Sequence, residues 1–211
     1  MSYLEKFVFN AFQVNTYLVW DDSGECIIID PTFQDESERE RLTGFMTEKS
    51  LSPVRIINTH CHVDHLLGIP GMKQVYNIPF HCHRQETSLL EKAHIMGKAF
   101  GIDAAPFPAP DRFLEHGEII DLGNSRLKAL AVPGHSPGSL AFYDEKTEFV
   151  ITGDALFAGG IGRTDLPGGN YDQLIQSIST QLFELPEDTV IWPGHGPSST
   201  IGEEVRSNPF F

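Results

Sequence analysis

The sequence is short of cysteine and of positive charge. It has three cysteines, an odd number without a Cys-x-x-Cys pair, which fits a reducing compartment better than a disulfide framework. Its 15 Lys and Arg residues face 29 Asp and Glu residues, so the formal net charge is −14. A field of this sign repels phosphate backbones and anionic membranes, and no basic patch opposes it. We therefore expect neither nucleic acid nor a membrane as a partner.

Long apolar runs, repeats and targeting signals are also missing. No apolar stretch approaches the roughly 20 residues that cross a bilayer, and the N-terminus lacks the basic segment and apolar core of a secretory signal. We therefore predict a cytoplasmic protein. No fixed-period repeat, low-complexity tract or linker divides the 211 residues, a length that suffices for one well-packed domain. The expected organisation is a single domain over 1–211, with the oligomeric state left open.

Chemistry is concentrated in one six-residue motif, His60-Cys61-His62-Val63-Asp64-His65. It follows a β-branched run at 54–58, which predicts a buried strand. If extended backbone continues through the motif, His60, His62 and Asp64 share one face. A turn then redirects His65, while Cys61 points to the opposite face as a buried filler. Imidazole and carboxylate are the ligands that zinc and similar divalent metals prefer, and burying four such groups without a metal is costly. The motif therefore predicts a metal site.

Three later apolar runs each end in a glycine beside one ligand-type side chain. A glycine there lets the backbone turn sharply and approach a site closely. Strand ends that converge on one edge of a sheet are where open α/β layers place their sites. The run at 26–29 ends comparably on Asp30, which either supports a ligand or hydrogen-bonds its own turn. The three strand ends are Pro133-Gly134-His135, Gly153-Asp154 and Pro193-Gly194-His195.

The remaining segments carry less chemistry. The proline-rich segment 97–111 is expected to form either one wall of a substrate pocket or an ordinary surface loop. A glycine-rich loop later in the chain lacks the GxxxxGK[ST] pattern of a phosphate cradle. Within that loop, Arg163 and Asp165 either contact the substrate or pair with each other. Helices are expected at 36–49, 84–99 and 171–183.

The order of these motifs resembles the metallo-β-lactamase-fold hydrolases, and nearly the whole chain takes part in the resemblance. Within that family the stretch Gly162-Arg163-Thr164-Asp165 is similar to the short glyoxalase II-like (hydroxyacylglutathione hydrolase-like) group. The resemblance implies an α/β fold, a four-layer αββα sandwich with a two-metal site at one edge. The motifs that carry it are His60-x-His62-x-Asp64-His65, Pro133-Gly134-His135, Thr152-Gly153-Asp154 and Pro193-Gly194-His195.

The resemblance also implies two divalent metal ions, held by three residues each and bridged by a seventh. Zinc is the favoured metal, with iron or manganese as alternatives. The two ions would share a water and lower its pKa toward about 7, so that hydroxide attacks the carbonyl of a small thioester or ester. Asp64 and Asp154 would orient that hydroxide and are the expected catalytic residues. The implied ligands are His60, His62 and His135 for the first ion, Asp64, His65 and His195 for the second, and Asp154 for both.

Three other functions share most of these residues. Persulfide dioxygenases, which use a single iron, resemble the chain in His60, His135 and Asp154. Lactonases differ only in the pocket, and a non-catalytic scaffold would use metal for stability alone. Asp154 and the plain N-terminus argue against β-lactam hydrolysis. The chain ends soon after His195, where full-length glyoxalase II continues with a helical domain that holds glutathione, which leaves the thiol of the small-molecule substrate open.

Overall fold

Six strands in the first half of the chain form one β-sheet. In the computed structural model, which describes residues 1–211, they lie side by side in chain order. The first three pair antiparallel, and the third to the sixth pair parallel. The strands are β1 (Tyr3–Phe9), β2 (Val14–Trp20), β3 (Glu25–Ile29), β4 (Ser52–Ile57), β5 (Phe80–His83) and β6 (Arg112–Leu114).

The second half of the chain forms another six-stranded sheet and a small two-stranded one. In chain order the strands are β7 (Ile119–Leu122), β8 (Ser125–Ala131), β9 (Leu140–Asp144), β10 (Phe149–Gly153), β11 (Leu156–Phe157), β12 (Gly160–Ile161), β13 (Val190–Pro193) and β14 (Ser199–Thr200). The order across the large sheet is β14-β13-β10-β9-β8-β7, while β11 pairs with β12 alone. β10 and β13 pair parallel, and the other pairs of this sheet are antiparallel.

Five α-helices connect or follow the strands, and side-chain caps begin three of them. Asp35, Asn170 and Thr200 each accept a hydrogen bond from a backbone N–H three residues later, the contact expected of N-cap residues. The helices are α1 (Glu36–Glu48), α2 (Ile69–Tyr76), α3 (Thr87–Gly97), α4 (Tyr171–Ser177) and α5 (Ile201–Ser207). None of them combines the length and apolar character that a bilayer-crossing segment requires.

Three separate apolar cores show that the layers alternate. One core lies between the two large sheets, one between the first sheet and the first three helices, and one between the second sheet and the last two helices. β3 consists almost entirely of apolar residues because both of its faces are buried. Ile27 and Ile29 face the core between the sheets, while Cys26 and Ile28 face the helical side, and all four are fully buried. Burying one isoleucine contributes roughly 1.5–3 kcal/mol. The predicted four-layer αββα sandwich is confirmed.

The backbone of the six-residue motif differs from the expectation. β4 ends at Ile57, and residues Val63–His65 form a 3₁₀ turn instead of extended chain. The side-chain amide of Asn58 explains the fold of this loop, because it donates to the carbonyl oxygens of His60 at 3.3 Å and His65 at 2.8 Å. The prediction of a shared extended face through Asp64 is therefore wrong in its second half. Cys61 is buried in the core, as predicted.

Two predicted helices are shorter than expected, and one helix was not predicted. The expected helix at 84–99 is an α-helix only over Thr87–Gly97, with a 3₁₀ turn on each side. The expected helix at 171–183 changes to π-helical hydrogen bonding after Ser177. α2 begins with Ile69-Pro70-Gly71, and these residues conceal the helix in the sequence although proline is tolerated in a first turn.

Candidate metal centre

The strand directions bring the ligand-type residues to one edge of the two large sheets. β8 runs antiparallel to β9, β9 antiparallel to β10, and β10 parallel to β13, so β8, β10 and β13 end at the same edge. β3 and β4 run parallel and end together in the other sheet. Backbone N–H groups join the edges, since Leu140 donates to Thr59 at 2.8 Å and Asn15 donates to Gly194 at 2.7 Å. Side chains from both sheets therefore meet here.

Three imidazoles form the first cluster. Nδ1 of His62 lies 2.8 Å from Nε2 of His135, and Nε2 of His60 lies 3.3 Å from the same atom. Nδ1–H of His135 donates to the carbonyl oxygen of Arg163 at 2.8 Å, so Nε2 of the neutral ring carries a lone pair. Nδ1–H of His60 donates to the Thr59 hydroxyl at 3.0 Å with the same result. Outer hydrogen bonds of this kind direct histidine lone pairs toward a metal.

Asp64, His65 and His195 form the second cluster. Oδ2 of Asp64 lies 3.5 Å from Nε2 of His195 and 3.9 Å from Nε2 of His65. Nδ1–H of His195 donates to the carbonyl oxygen of Phe12 at 3.1 Å, which leaves Nε2 of the neutral ring free to face the cluster. Either triad brings three potential ligand atoms within 4.8 Å of one another.

Asp154 lies between the two clusters. Its Oδ2 atom is 3.7 Å from Nε2 of His135 in the first cluster and 3.5 Å from Nε2 of His195 in the second. Its Oδ1 atom is 3.5 Å from Nε2 of His65. The structure thus brings together all seven residues that the sequence singled out, with one carboxylate facing both triads.

Asp30 orients two of the histidines. Its Oδ1 accepts from the backbone N–H of Thr59 at 2.8 Å, and its Oδ2 accepts from the Thr59 hydroxyl at 2.6 Å. Oδ2 also lies 3.0 Å from Nδ1 of His65, so Asp30 contacts His65 directly and His60 through Thr59. A third group of potential ligands, Asp30 with His60 and His65, is compact enough for a metal. Because both Asp30 oxygens already accept hydrogen bonds, we assign Asp30 to orienting ligands.

Burial keeps the first cluster neutral. Removal from water lowers the pKa of His62 to about 4, and it lowers the pKa of His60 and His135 as well. Their close approach to one another adds to the effect, because each imidazolium would repel the next. Neutral imidazoles are the form that binds a metal, so no proton has to leave these rings at neutral pH.

The carboxylates and His65 behave in the opposite way. Burial alone would raise the pKa of Asp154, but the adjacent His65 outweighs it and holds that pKa well below its usual range. Burial likewise opposes ionisation of Asp64, yet His65 and His195 lower its pKa. The same carboxylates outweigh the burial of His65 and raise the pKa of its imidazole. The second cluster therefore favours positive charge beside two ionised carboxylates.

These residues fit divalent metal ions. His65 Nε2 and Asp154 Oδ1 are buried and lie 3.5 Å apart without a well-aligned hydrogen bond, and a cation bound to both in place of the proton on His65 would satisfy them. Imidazole and carboxylate are suitable ligands for zinc, iron and manganese. The close packing leaves no room for a side chain at Gly194, because a Cβ there would lie 2.0 Å from Oδ1 of Asp154. The same holds at Gly153, where φ is +52° and a Cβ would lie 2.5 Å from the Thr59 hydroxyl.

Arg163 and Asp165 form an ion pair at the margin of the site. Nε of Arg163 donates to Oδ1 of Asp165 at 2.8 Å, and its Nη2 donates to Oδ2 at 2.7 Å. Both side chains are more than half exposed, so the pair contributes little to folding stability. Only Arg163 lines the cavity beside the metal centre. The arrangement matches the expectation that these residues brace each other, while the Arg163 carbonyl holds His135.

Sequence reasoning missed Glu86, which ties two ligand-bearing loops together. This fully buried carboxylate accepts from the backbone N–H of Cys61 at 2.7 Å through Oε2. Its Oε1 accepts from the hydroxyl of Ser136 at 2.8 Å and from the backbone N–H of Gly138 at 2.7 Å. Burial raises the pKa of Glu86, although the three donors oppose that shift. In the sequence it is one charged residue among several at a helix start, so no signal distinguishes it.

Two side chains of β2 were also missed, and they hold the loop that carries His195. The Tyr17 hydroxyl donates to the carbonyl oxygen of Pro193 at 2.5 Å, and Nδ2 of Asn15 donates to the same oxygen at 2.8 Å. Nδ2 of Asn15 also lies 3.0 Å from the carbonyl oxygen of Gly196. Burial raises the pKa of Tyr17, which keeps its hydroxyl protonated as a donor.

The comparison with protein families agrees with this geometry. Residues 9–195 match the model of the metallo-beta-lactamase superfamily. The chain belongs to this superfamily. The predicted resemblance is thereby confirmed, and the fold together with the His/Asp cluster implies divalent metal ions.

Curated relatives cover nearly the whole chain. The chain is 40% identical over 202 residues to the hydroxyacylglutathione hydrolase GloC of Haemophilus influenzae, covering 95% of this chain and 93% of the relative. It is 38% identical over 200 residues to the probable metallo-hydrolase YqgX of Bacillus subtilis, covering 94% and 92%. The similarity to these hydrolases supports the assignment of the chain as an enzyme.

Solved structures with the same fold carry different names. BLEG-1, a B3 metallo-beta-lactamase, is 32% identical with a TM-score of 0.90, covering 99% of both chains. TTHA1623, crystallised in a di-iron-bound form, is 37% identical with a TM-score of 0.88, covering 98% of this chain and 100% of the other. ETHE1 from Myxococcus xanthus is 26% identical with a TM-score of 0.79, covering 98% and 83%. The fold is therefore common to proteins of several descriptions.

Proposed function

We propose that the protein is a metal-dependent hydrolase that cleaves a small thioester or ester with two divalent metal ions. The position of Asp154 carries the proposal. Its carboxylate contacts Nε2 of His135 in the first cluster and Nε2 of His65 and His195 in the second. A carboxylate shared by two triads suits a centre of two ions better than a centre of one. The 40% identity to a hydroxyacylglutathione hydrolase supports thioester chemistry.

Each ion has three residues of its own, and Asp154 serves both. His60, His62 and His135 would hold one ion, and Asp64, His65 and His195 the other. When bound, divalent ions lower the pKa of a coordinated water toward about 7 and polarise a carbonyl oxygen. Zinc is our preferred metal, with iron or manganese as alternatives. The di-iron-bound form of TTHA1623 supports iron as the first of these alternatives.

The protein's own groups orient the reactants. Asp64 and Asp154 are ionised because nearby imidazoles lower their pKa values, so both accept hydrogen bonds at neutral pH. They would orient the attacking water toward the carbonyl carbon of the substrate, which makes them the catalytic carboxylates. Asp30 and Thr59 keep the rings of His60 and His65 in position. No serine or cysteine nucleophile is needed.

The substrate is proposed to be a small molecule. The cavity beside the centre comprises about 780 Å³ between protein atoms, part of it open to solvent. A net charge of −14 disfavours nucleic acid and anionic membranes as partners.

Metal content and turnover, measured on one preparation, test the function. Protein purified without added metal or chelator is analysed for its elements and then assayed with thioesters, lactones and β-lactams. We expect close to two metal ions per chain and hydrolysis of thioesters. The β-lactam assay is included because of the similarity to BLEG-1. One iron per chain with oxygen consumption and no hydrolysis would contradict the proposal and favour the dioxygenase, whereas two bound ions without any turnover would favour a scaffold.

A further inference from the structure

The cavity beside the metal centre has two chemically different sides. Nine of its fifteen lining residues are hydrophobic. The polar side consists of candidate ligands, among them His62, Asp64 and Asp154. A substrate bound here would therefore place its reacting carbonyl at the polar side and another part of the molecule against apolar side chains.

A continuous segment supplies most of the apolar side. Leu89, Ala93 and Met96 recur at helical spacing on one face of α3, and Phe100 and Ile102 continue the surface after the helix ends. We call these five residues the α3 wall. Its inner members are buried, with Leu89 7% and Ile102 3% exposed, whereas Phe100 at the mouth is 49% exposed. The segment at 97–111, for which a pocket wall was one expectation, thus contributes to the wall.

Away from the metal centre, the cavity offers no free Lys or Arg side chain to an anionic substrate. Arg163 is the one Lys or Arg side chain among the lining residues, and both oxygens of Asp165 already hold its guanidinium. A substrate carboxylate held against the α3 wall would lose hydration without gaining a partner, which is unfavourable.

We propose that the α3 wall binds the acyl group of a thioester and that this group is an uncharged aliphatic chain. The inference rests on the proposed hydrolase function and specifies its substrate class. In the reaction, one water is consumed, the bond between the acyl carbon and sulfur breaks, and a carbon–oxygen bond forms. The products are an aliphatic carboxylate, a proton and a free thiol. Thioesters of glutathione, whose thiol carries two carboxylates, are poorer substrates because the cavity has no free Lys or Arg side chain to pair with them.

A chain-length series tests the acyl specificity. Thioesters of N-acetylcysteamine from acetyl to octanoyl are compared with S-lactoylglutathione on the metal-loaded enzyme. We expect kcat/KM to rise by about fourfold per methylene from acetyl to hexanoyl, the factor that corresponds to burying one CH₂ group. A flat series, or a preference for the glutathione thioester, overturns the inference and leaves the hydrolase function intact. Absence of turnover with every thioester contradicts the hydrolase function itself.

Binding measurements keep the inference testable without turnover. Calorimetric titration with S-hexyl-N-acetylcysteamine, a thioether that cannot be hydrolysed, should give a lower Kd than the S-methyl compound and than S-hexylglutathione. Equal affinities for the hexyl and methyl compounds would contradict an apolar acyl site whatever the catalytic result.

Matched variants locate the effect on the wall. In Phe100→Ser and Met96→Gln, the ratio of hexanoyl to acetyl kcat/KM should fall by about tenfold, because apolar contact area with the longer chain is lost. Ile95→Ser is the control, since Ile95 lies on the same helix, is 61% exposed and does not line the cavity. Its ratio should equal that of the wild type. A uniform drop for all acyl groups in the wall variants would identify a general structural effect and overturn the assignment.

Discussion

Glu86 accepts a hydrogen bond from the backbone N–H of Cys61 at 2.7 Å, and so fixes the residue that separates His60 from His62. Its other carboxylate oxygen holds Ser136, which directly follows His135. One buried carboxylate thus sets the spacing of all three imidazoles in the first cluster. It touches no candidate ligand side chain, so it acts through the backbone that carries the ligands.

Replacing Glu86 with glutamine should weaken metal binding at the first cluster. The amide keeps the size of the carboxylate but turns one acceptor into a donor, which then faces an N–H or a hydroxyl. We expect metal affinity to fall about 10- to 100-fold, as for residues that support ligands. Competition with a chelator measures the affinity.

Two further variants separate positioning by Glu86 from general stability. Glu91→Gln changes an exposed residue of α3, the helix that directly follows Glu86, and should leave metal affinity unchanged. Glu86→Ala leaves the backbone N–H groups of Cys61 and Gly138 without a partner, which costs about 1–3 kcal/mol for each buried group. Wild-type affinity in Glu86→Gln would show that the complete set of hydrogen bonds to the Glu86 carboxylate does not position the cluster.

The stability of the fold should depend on pH through His81. This histidine of β5 is 6% exposed, and its Nδ1 atom has no hydrogen-bond partner. Burial lowers its pKa below the ordinary value of about 6.5. As pH falls through 6.5, the unfolded chain therefore binds a proton that the native chain does not, and the free energy of unfolding decreases until the native pKa is reached.

His81→Gln should reduce that dependence. Each unit by which the native pKa is lowered corresponds to about 1.4 kcal/mol of stability lost on acidification. Urea unfolding of the wild type and the variant at pH 7.5 and pH 5.5 gives the difference, in which contributions from the other histidines cancel. Parallel losses in both proteins would show that His81 does not titrate differently in the two states.

The seven ligand-type residues are recognisable in the sequence because each follows the end of a predicted strand, and three of them, His135, Asp154 and His195, stand beside a glycine. The residues that hold the ligand-bearing loops in place are not recognisable in the sequence, because their roles depend on contacts between distant parts of the chain. Glu86 lies 50 positions from Ser136, and Tyr17 lies 176 positions from Pro193. Neither has a local pattern that distinguishes it from an ordinary helix-start or strand residue.

Local periodicity also failed where short-range hydrogen bonds decide the backbone. The motif was expected to stay extended, but Asn58 closes it into a loop through two carbonyl oxygens. The shortest strands, β6 with three residues and β11, β12 and β14 with two each, are too short for alternation to be visible. The overall fold was predictable through the resemblance of the motifs to the metallo-β-lactamase-fold hydrolases, whereas these short elements depend on pairing with neighbouring strands.

Asp154→Ala should empty at least one metal position and abolish turnover. The carboxylate faces both clusters, so its removal deprives each ion of a ligand and leaves Nε2 of His65 without the carboxylate that lies 3.5 Å from it. Elemental analysis and thioester assays measure the two effects. Asp165→Ala is the control, because this exposed carboxylate pairs with Arg163 alone and should not change metal content. Wild-type metal content and rate in Asp154→Ala would refute the shared-ligand assignment.

Asp30→Asn should weaken metal binding while keeping the backbone. Asp30 has φ of +48°, a conformation that asparagine tolerates and that costs alanine about 1–2 kcal/mol. The amide cannot accept from all of the donors that meet Asp30, namely the Thr59 N–H, the Thr59 hydroxyl and Nδ1–H of His65. We expect a 10- to 100-fold loss of metal affinity by chelator competition.

Thr59→Val tests whether Asp30 acts on both histidines. Valine removes the hydroxyl that links Asp30 to Nδ1 of His60 but leaves the contact between Asp30 and His65 in place. Metal affinity should therefore fall less in Thr59→Val than in Asp30→Asn, because only one imidazole loses its orienting partner. An equal loss in the two variants would mean that the support of His60 through Thr59 accounts for the whole effect, and that the direct contact with His65 contributes nothing to metal binding.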